Sequence, residues 1–292
     1  MDVWNDVSGA RVHATAIGEG PPVVLVHGYG ISGSYMLPLA RALASRFSVF
    51  VPDLPGHGRS RRSRVAPGIG AHAEALAGWL DAVGLERPAI VANSMGCQVV
   101  TELAVRHPER VGRLVLVGPT VDPARRAARH QVFGALRDSA REPAPLVALA
   151  ALDSVAQGIP ALLAAARSTL GDRIEERLPL IEQPTVVVVG GEDAFVSREW
   201  AEQVADLLPR GRLVVIPGEP HAVHYTQPHL VEAIVAEFLG QESEHRGREL
   251  AGSLEHRDVP ARQPDELRRR QKPTPLFGRP HGHQPVTVTP NE

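Results

Sequence analysis

The chain has 292 residues, of which 43% are hydrophobic and 22% charged, and its formal net charge is −2. This composition suits a folded globule with one large α/β domain or two modest ones, and the charge excludes a general electrostatic attraction to nucleic acid. Cys97 is the only cysteine, which excludes an internal disulfide. The N-terminus lacks the basic and apolar segments of a signal peptide, and the longest apolar runs are too short to cross a bilayer. We therefore expect a cytoplasmic protein.

Strand and helix patterns alternate along the first 119 residues. A hairpin is predicted over residues 7–17, and buried strands are predicted where apolar residues run without interruption. These strands cover residues 23–26, 47–51, 89–91 and 113–117, and helical spacing covers residues 37–44, 71–83 and the stretch from Ser94 to about His107. The alternation predicts an α/β fold in which a mostly parallel central sheet is flanked by helices.

The alternation stops after the sixth strand. Residues 120–182 are rich in Ala, Leu and Arg and have helical spacing interrupted by prolines, so we interpret them as a small helical cap. The core, residues 1–119 and 183–240, resumes with strands over residues 185–189 and 213–216 and a helix over residues 229–239. Residues 241–292 are polar and Pro-rich without apolar periodicity, and we predict that they are disordered.

The stretch around Ser94 is typical of a nucleophile elbow, a sharp turn between a strand and a helix that holds a serine hydroxyl at its tip. Small residues, Ala92 and Gly96, lie two positions before and after Ser94, where the turn brings side chains against neighbouring backbone. The backbone N–H of Met95 lies at the positive end of the new helix, where it can stabilise an oxyanion. Alone, this pattern is weak, because small-x-Ser-x-small is frequent by chance.

Two later stretches supply partners for the serine. A serine hydroxyl becomes nucleophilic when a base removes its proton, and a third group fixes the tautomer of that base. Asp193 and His221 each follow a predicted buried strand. Because the carboxyl ends of parallel strands open at one edge of a sheet, Ser94, Asp193 and His221 can converge there. The chain order Ser, Asp, His is that of the α/β-hydrolase arrangement.

Five motifs make the chain similar to α/β-hydrolase-fold proteins from about Val7 to Leu239. They are His27-Gly28-Tyr29-Gly30, Asp53-Leu54-Pro55-Gly56-His57-Gly58-Arg59-Ser60, Asn93-Ser94-Met95-Gly96, Gly190-Gly191-Glu192-Asp193 and Pro220-His221. The resemblance implies a capped serine hydrolase in which Ser94 is the nucleophile, His221 the base and Asp193 the orienting acid. It also implies an oxyanion hole made by the backbone N–H groups of Tyr29 and Met95.

Some neighbouring residues compete for these roles. His224 is an alternative base, but His221 directly follows a Gly-Glu-Pro turn as the family histidine often does, and we prefer it. Glu192 is an alternative acid, but the family spacing after the glycine favours Asp193. By the family pattern, His57 shapes the site and performs no proton transfer.

Three further residues lie close to the serine motif. Cys97 stands where many members of the family have glycine, and we interpret it as a small buried residue because nothing cationic is evident beside it. Asn93 and Gly28 are candidate substrate-binding residues. For Asn93, stabilisation of the turn is an equally good interpretation.

Residues 28–33 match the dinucleotide-binding pattern G-x-G-x-x-G, and Asp53 ends the next strand. A dinucleotide fold leaves His27 and the later motifs unexplained, so the hydrolase interpretation is preferred and no cofactor is expected. His281 and His283 can ligate a metal, but no further ligands stand at a suitable spacing, so we predict no metal site.

We predict a carboxylesterase-like serine hydrolase that cleaves a carboxylic ester, a lactone or a related carbonyl compound through an acyl-enzyme. One alternative is a hydrolase of carbon–carbon bonds in ring-fission products, whose elbow resembles Asn93-Ser94-Met95-Gly96. Another is a small-molecule receptor of the same fold with slow turnover. The expected partner is a small-molecule substrate, without nucleic acid or a membrane span, and the sequence leaves the oligomeric state open.

Overall fold

The computed structural model describes residues 1–7, 9–61, 63, 65 and 68–240, together with the backbone of Glu255–Asp258. The strands of this part of the chain are β1 (Asp2–Val7), β2 (Ala10–Ile17), β3 (Pro22–Val26), β4 (Ser48–Pro52), β5 (Ala89–Asn93), β6 (Leu114–Val117), β7 (Thr185–Gly190), β8 (Gly211–Ile216) and β9 (Glu255–Asp258). They form one sheet in the order β1-β2-β4-β3-β5-β6-β7-β8-β9. Pairing is parallel from β4 to β8 and antiparallel at both edges. The predicted fold class is confirmed.

The helices of the same residues connect the strands. They are α1 (Leu37–Leu43), α2 (Ile69–Ala82), α3 (Met95–Arg106), α4 (Ala128–Ser139), α5 (Ala144–Gln157), α6 (Ile159–Gly171), α7 (Ile174–Arg177), α8 (Arg198–Leu207), α9 (Val223–Thr226) and α10 (Pro228–Phe238). One apolar cluster joins the sheet to α1 and α10 through Leu39 and Val231. A second cluster joins the sheet to α2, α3 and α8 through Trp79, Val100 and Trp200. The sheet therefore has a helical layer on each face.

The parallel strands are largely buried because most of their residues are apolar, and β6 and β7 are buried at every residue. In contrast, β1 alternates between exposed and half-buried residues along most of its length, as expected for an edge strand. The predicted hairpin is formed by β1 and β2, and its first strand begins at Asp2 instead of Val7. Gly9, in the turn, has a φ of 87°, which glycine adopts without steric strain.

Helices α4, α5 and α6 lie between β6 and β7, so the helical insertion after the sixth strand is found where it is predicted. Hydrogen bonds connect this insertion to the loop that follows β3 in the core. The Tyr29 hydroxyl donates to the Leu162 carbonyl at 2.9 Å, and the Ser154 hydroxyl donates to the Gly30 carbonyl at 3.0 Å. Among the described residues no single helix has the length and apolar character needed to cross a membrane; α5 and α6, bent by 106°, have them only taken together, by length and composition.

Three elements, α8, α9 and β9, are absent from the sequence-based prediction. Helix α8 begins after Ser197, whose hydroxyl accepts from the Trp200 N–H at 3.1 Å, and the Trp200 indole N–H donates to the Pro119 carbonyl at 2.8 Å. Strand β9 lies within the tail that was predicted to be disordered, and it pairs antiparallel with β8. For those four residues the structure departs from the prediction. The rest of the tail, with His281 and His283, lies outside the described residues.

Candidate active site

Ser94 lies between β5 and α3, with a φ of 55° and a ψ of −122°. A positive φ is uncommon for a residue other than glycine, and such strain is concentrated at functional sites. The turn is tight: a Cβ atom on Gly96 would lie 2.7 Å from the carbonyl oxygens of Val26 and His27. This close approach is why the position two residues after the serine requires glycine.

His221 and Asp193 form a hydrogen-bonded pair at the ends of β8 and β7. The distance between His221 Nδ1 and Asp193 Oδ2 is 2.7 Å, and both residues are 8% exposed. Asp193 Oδ1 accepts from the backbone N–H groups of Phe195 and Val196 at 2.8 and 2.9 Å, which fixes the carboxylate. With Asp193 as a carboxylate, the single proton of the neutral imidazole lies on Nδ1, so in that neutral form Nε2 is free to accept one.

The charge around His221 sets its protonation. Burial by itself lowers the pKa of His221, but the negative charge of Asp193 and the hydrogen bond to it outweigh burial. Asp138 and Glu142 add further negative charge, and together these groups raise the pKa of His221 to about 9. The imidazolium form is therefore favoured beside three carboxyl groups.

Ser94 and His221 both line one cavity of about 550 Å³. Within the described residues no hydrogen bond joins the Ser94 hydroxyl to His221. Hydrogen bonds of this kind are often long in free enzymes. The serine and the histidine therefore lie beside the same cavity, with the aspartate paired to the histidine.

Gly118, directly after β6, is a site residue that the sequence analysis missed. Its φ is 55°, and a Cβ atom there would lie 2.8 Å from His221 Cε1 and 3.3 Å from Asp193 Oδ2. The absence of a side chain makes room for the histidine–aspartate pair. The sequence contains a signal for this residue, because Gly118 directly follows a predicted buried strand that ends at the same edge of the sheet.

The loop after β3 lies beside the serine. A Cβ atom on Gly28 would stand 3.1 Å from Ser94 Cβ. His27 is fully buried and holds this loop: its Nε2 accepts from the Leu54 N–H at 2.9 Å, so its Nδ1–H donates to the Gly28 carbonyl at 2.9 Å. The backbone N–H groups of Tyr29 and Met95 make no hydrogen bond within the described residues. Both remain available for an oxyanion.

Tyr35 connects the two candidate substrate-binding residues, and the sequence analysis did not identify it. Its hydroxyl accepts from the Gly28 N–H at 2.8 Å and donates to Asn93 Oδ1 at 2.6 Å. The amide nitrogen of Asn93 donates to the Val117 carbonyl at 3.1 Å. Gly28 and Asn93 line the cavity. Their polar groups are already paired within the protein, which favours stabilisation of the turn over contact with substrate.

The competing residues occupy different surroundings. His224 is fully buried, burial lowers its pKa to about 3, and neither ring nitrogen has a partner among the described residues. Glu192 is exposed and pairs with Arg141 at 2.6 Å. His57 lines a second cavity, where its Nε2 lies 3.1 Å from Gln157 Nε2. The geometry therefore favours His221 and Asp193.

Cys97 is fully buried behind the elbow. Its thiol donates to the Ala92 carbonyl at 3.3 Å, and burial raises the pKa of the thiol. A thiol held in the protonated form is a weak nucleophile, which matches its interpretation as a buried small residue.

Side chains occupy the last two N–H groups of the glycine-rich loop, those of Ser32 and Gly33. The Gly33 N–H donates to Asp53 Oδ1 at 2.8 Å, and the Ser32 N–H donates to Asp153 Oδ2 at 2.8 Å. A pyrophosphate would need such N–H groups. Asp53 is therefore a structural acceptor, and the dinucleotide pattern is a coincidence of spacing. Within the described residues no group of three or more His, Cys, Asp or Glu side chains is arranged to hold a metal ion.

The inserted helices build most of the cavity wall. Apolar side chains dominate, and the polar exceptions include two acids, Asp138 and Glu142. Asp138 Oδ1 accepts from the His221 N–H at 3.2 Å, and Glu142 Oε1 accepts from the Ala222 N–H at 2.8 Å. Sequence periodicity could not show that these acids face the histidine. Among the apolar wall residues are Val132, Leu146, Val147, Leu163, Leu170 and Phe195.

Comparison with known proteins places the chain in a family. The sequence profile of the alpha/beta hydrolase fold matches residues 21–157. The pimeloyl-[acyl-carrier protein] methyl ester esterase of Aromatoleum aromaticum is 30% identical over 254 residues, which are 74% of this chain and 98% of that protein. The chain belongs to the α/β-hydrolase family. The fold and the order of the motifs agree with this assignment.

Two further similarities describe the range of the family. Polyketide synthase ThaQ of Burkholderia thailandensis is 33% identical over 275 residues, and the match covers 85% of this chain but only 13% of that protein. The structure of Est816, described as an N-acyl homoserine lactone degrading enzyme, is 26% identical with a TM-score of 0.70. That match covers 81% of this α/β-hydrolase chain and 100% of the Est816 chain.

Proposed function

We propose that this chain is a serine hydrolase that cleaves a carboxylic ester or a lactone through an acyl-enzyme on Ser94. One observation carries the proposal: the Ser94 elbow and His221, paired with Asp193, line one cavity. Relatives named for these bonds support it, because one is a methyl ester esterase and another degrades a lactone.

The reaction has two halves. Ser94 Oγ attacks the carbonyl carbon while His221 Nε2 accepts the hydroxyl proton, and the carbonyl electrons move to the oxygen. The N–H groups of Tyr29 and Met95 hold that oxyanion. The tetrahedral intermediate then expels the alcohol, which takes the proton from His221. Water repeats the sequence on the acyl-enzyme, releasing the acid and restoring Ser94. Loss of one oxyanion donor costs about a hundred- to a thousandfold in rate.

Helices α4, α5 and α6 act as a cap over this site in our proposal. Their apolar side chains suit an uncharged acyl or alcohol group. Oxidative ring opening leaves a carboxylate on its product, and neither arginine nor lysine is among the described residues that line the cavity. Ester or lactone cleavage is therefore favoured over the carbon–carbon alternative.

The proposal is tested by labelling the folded protein with a fluorophosphonate probe, which reacts with activated serines. The wild-type protein is expected to label rapidly, and Ser94→Ala and His221→Ala to lose labelling. His224→Ala is the matched control and should keep it. An unlabelled wild-type protein that also fails to cleave a panel of esters and lactones would overturn the proposal.

A further inference from the structure

The wall of the cavity contains oxygen atoms that nothing satisfies. Thr120 Oγ1, Glu142 Oε2 and Thr169 Oγ1 are buried and have no hydrogen-bond partner among the described residues. All three side chains line the cavity, and the two threonines are 4% and 8% exposed. A buried oxygen without a partner destabilises a protein, and native structures keep few of them. Such atoms in a ligand cavity indicate groups that a ligand satisfies.

Glu142 is the most informative of the three, because its carboxyl group is held in place. Oε1 accepts from the Ala222 N–H at 2.8 Å, beside the catalytic His221, and this bond leaves Oε2 without a partner. Burial raises the pKa of Glu142 to about 7, so at pH 8 the group is mainly a carboxylate, whose oxygens only accept hydrogen bonds. Oε2 therefore requires a donor.

The charged side chains that line the cavity also favour a ligand that donates hydrogen bonds. Asp138 and Glu142 line the cavity, and among the described residues the one basic side chain that does so is His221, whose charge is offset by its partner Asp193. A second carboxylate brought into this space would meet like charge in a poorly solvated site, where repulsion is strong. A cation or a neutral N–H group would meet attraction instead.

We propose that Glu142 determines substrate specificity by accepting a hydrogen bond from a nitrogen donor on the substrate, most strongly an ammonium group. The substrate class is then an ester or lactone that carries a positively charged or N–H-bearing group, and carboxylate-bearing substrates are rejected. This inference rests on the proposed function, since it names the substrate of the same site.

The test uses three p-nitrophenyl esters whose acyl chains have equal length and end in an ammonium group, a methyl group or a carboxylate. At pH 8 the wild-type kcat/KM should decrease in that order, with the ammonium ester at least about tenfold above the carboxylate ester. Glu142→Gln keeps an oxygen for the Ala222 N–H and removes the charge. It should reduce the ammonium-to-carboxylate ratio at least about fivefold, and the methyl ester reveals any change in the charge of His221, which would alter all three esters alike.

Glu175→Gln is the matched control. Glu175 lies in the same insertion but pairs with Arg126 at 2.8 Å and is not among the cavity residues. This variant should keep the wild-type ratio. Equal cleavage of the ammonium and carboxylate esters by the wild-type protein would overturn the inference even if Glu142→Gln failed to fold.

The two proposals fail in different ways. If the methyl ester is cleaved by wild type and not by Ser94→Ala, the hydrolase proposal stands whatever the ratios are. If the ratio is the same in wild type and in folded Glu142→Gln, the specificity inference is wrong. If no ester is cleaved and no serine is labelled, both are wrong.

Discussion

The absence of a side chain at Gly118 leaves the space that the His221 imidazole and the Asp193 carboxylate occupy. In Gly118→Ala the new Cβ would lie 2.8 Å from His221 Cε1, so the imidazole must shift. A displacement of about 1 Å costs about a hundredfold in rate, and we expect kcat/KM on a cleaved ester to fall roughly ten- to a hundredfold.

The matched control for Gly118→Ala is Gly84→Ala. Gly84 has a similar positive φ of 71°, but a Cβ atom there meets nothing within 4 Å. Both variants should lose about 1–2 kcal/mol of stability from the left-handed conformation. Only Gly118→Ala should lose activity. The measurements are kcat/KM for an ester and, for stability, thermal melts of both variants. Equal kcat/KM in both variants would show that the close approach has no catalytic consequence.

The charge of His221 should determine how activity changes with pH on the acidic side of the profile. His221 accepts a proton only as neutral imidazole, and its pKa lies above the usual value of about 6.5. Activity should therefore rise with pH through this raised pKa. Asp138→Asn removes one negative charge but keeps an acceptor for the His221 N–H, so the midpoint should move to lower pH by roughly half a unit.

The measurement is kcat/KM for a neutral ester between about pH 5.5 and 10. Asp153→Asn is the control, because Asp153 lines the second cavity and accepts from the Ser32 N–H. Its profile should keep the wild-type midpoint. If Asp138→Asn also keeps that midpoint, Asp138 does not act on the charge of His221.

Residues in short local motifs could be predicted from the sequence. Residues that matter through contacts with distant parts of the chain could not. Ser94, Asp193 and His221 sit in short motifs where a few neighbouring residues reveal the turn. The contacts of Tyr35 with Asn93 and of Asp138 with His221 join residues 58 and 83 positions apart. Nothing local marks such pairs, because they depend on how distant elements pack.

At the scale of elements, the bond between Tyr29 and α6 connects the insertion to the core. Tyr29→Phe removes the hydroxyl that donates to the Leu162 carbonyl and keeps the backbone N–H for the oxyanion. A hydrogen bond contributes about 0.5–1.5 kcal/mol, so we expect KM to rise roughly two- to tenfold and kcat to stay within about twofold.

Steady-state kinetics on an ester of moderate chain length separate these two constants. Tyr225→Phe, in α9, is the comparison variant and should change neither. A fall in kcat of about a hundredfold or more in Tyr29→Phe would mean that the hydroxyl acts in the chemical step.

The prediction of elements succeeded where the pattern was strong. Uninterrupted apolar runs predicted the buried strands, and the order of strand and helix predicted the sheet. Helix α8 was missed although Ser197 before Trp200, Ala201 and Val204 is a readable start signal with apolar residues at helical spacing. The burial pattern of the insertion was not predictable, because its exposed and cavity-facing sides are both apolar.

At the scale of the whole molecule, the residues of the proposed reaction lie at one edge of the sheet. The ends of β3, β5, β6, β7 and β8 supply, in turn, the loop of the proposed oxyanion hole, Ser94, Gly118, Asp193 and His221. The parallel pairing of these strands aligns their carboxyl ends, so the site follows from the topology. Among the described residues, those that line the cavity all lie from Gly28 to Ala222.

The segment after Gly240 should therefore be dispensable for hydrolysis, while β9 should add stability. Strand β9 pairs with β8 over four residue pairs, from Arg212 with Asp258 to Val215 with Glu255. We expect chains ending at Gly240 and at Asp258 to cleave esters with kcat/KM within about twofold of the full chain. The chain ending at Gly240 exposes the edge of β8, so it should melt a few degrees lower, since about 1 kcal/mol corresponds to about 2–4 °C at this size.

Comparing these two truncated chains tests residues 241–258, which include β9, because both chains lack residues 259–292. Thermal melts followed by circular dichroism, with ester hydrolysis measured in parallel, decide the matter. Equal melting temperatures would show that the pairing of β9 with β8 contributes nothing to stability. A loss of hydrolysis in both chains, with the fold retained, would instead place a catalytic contribution beyond Asp258, which contradicts a cavity built only from residues of the core and the insertion.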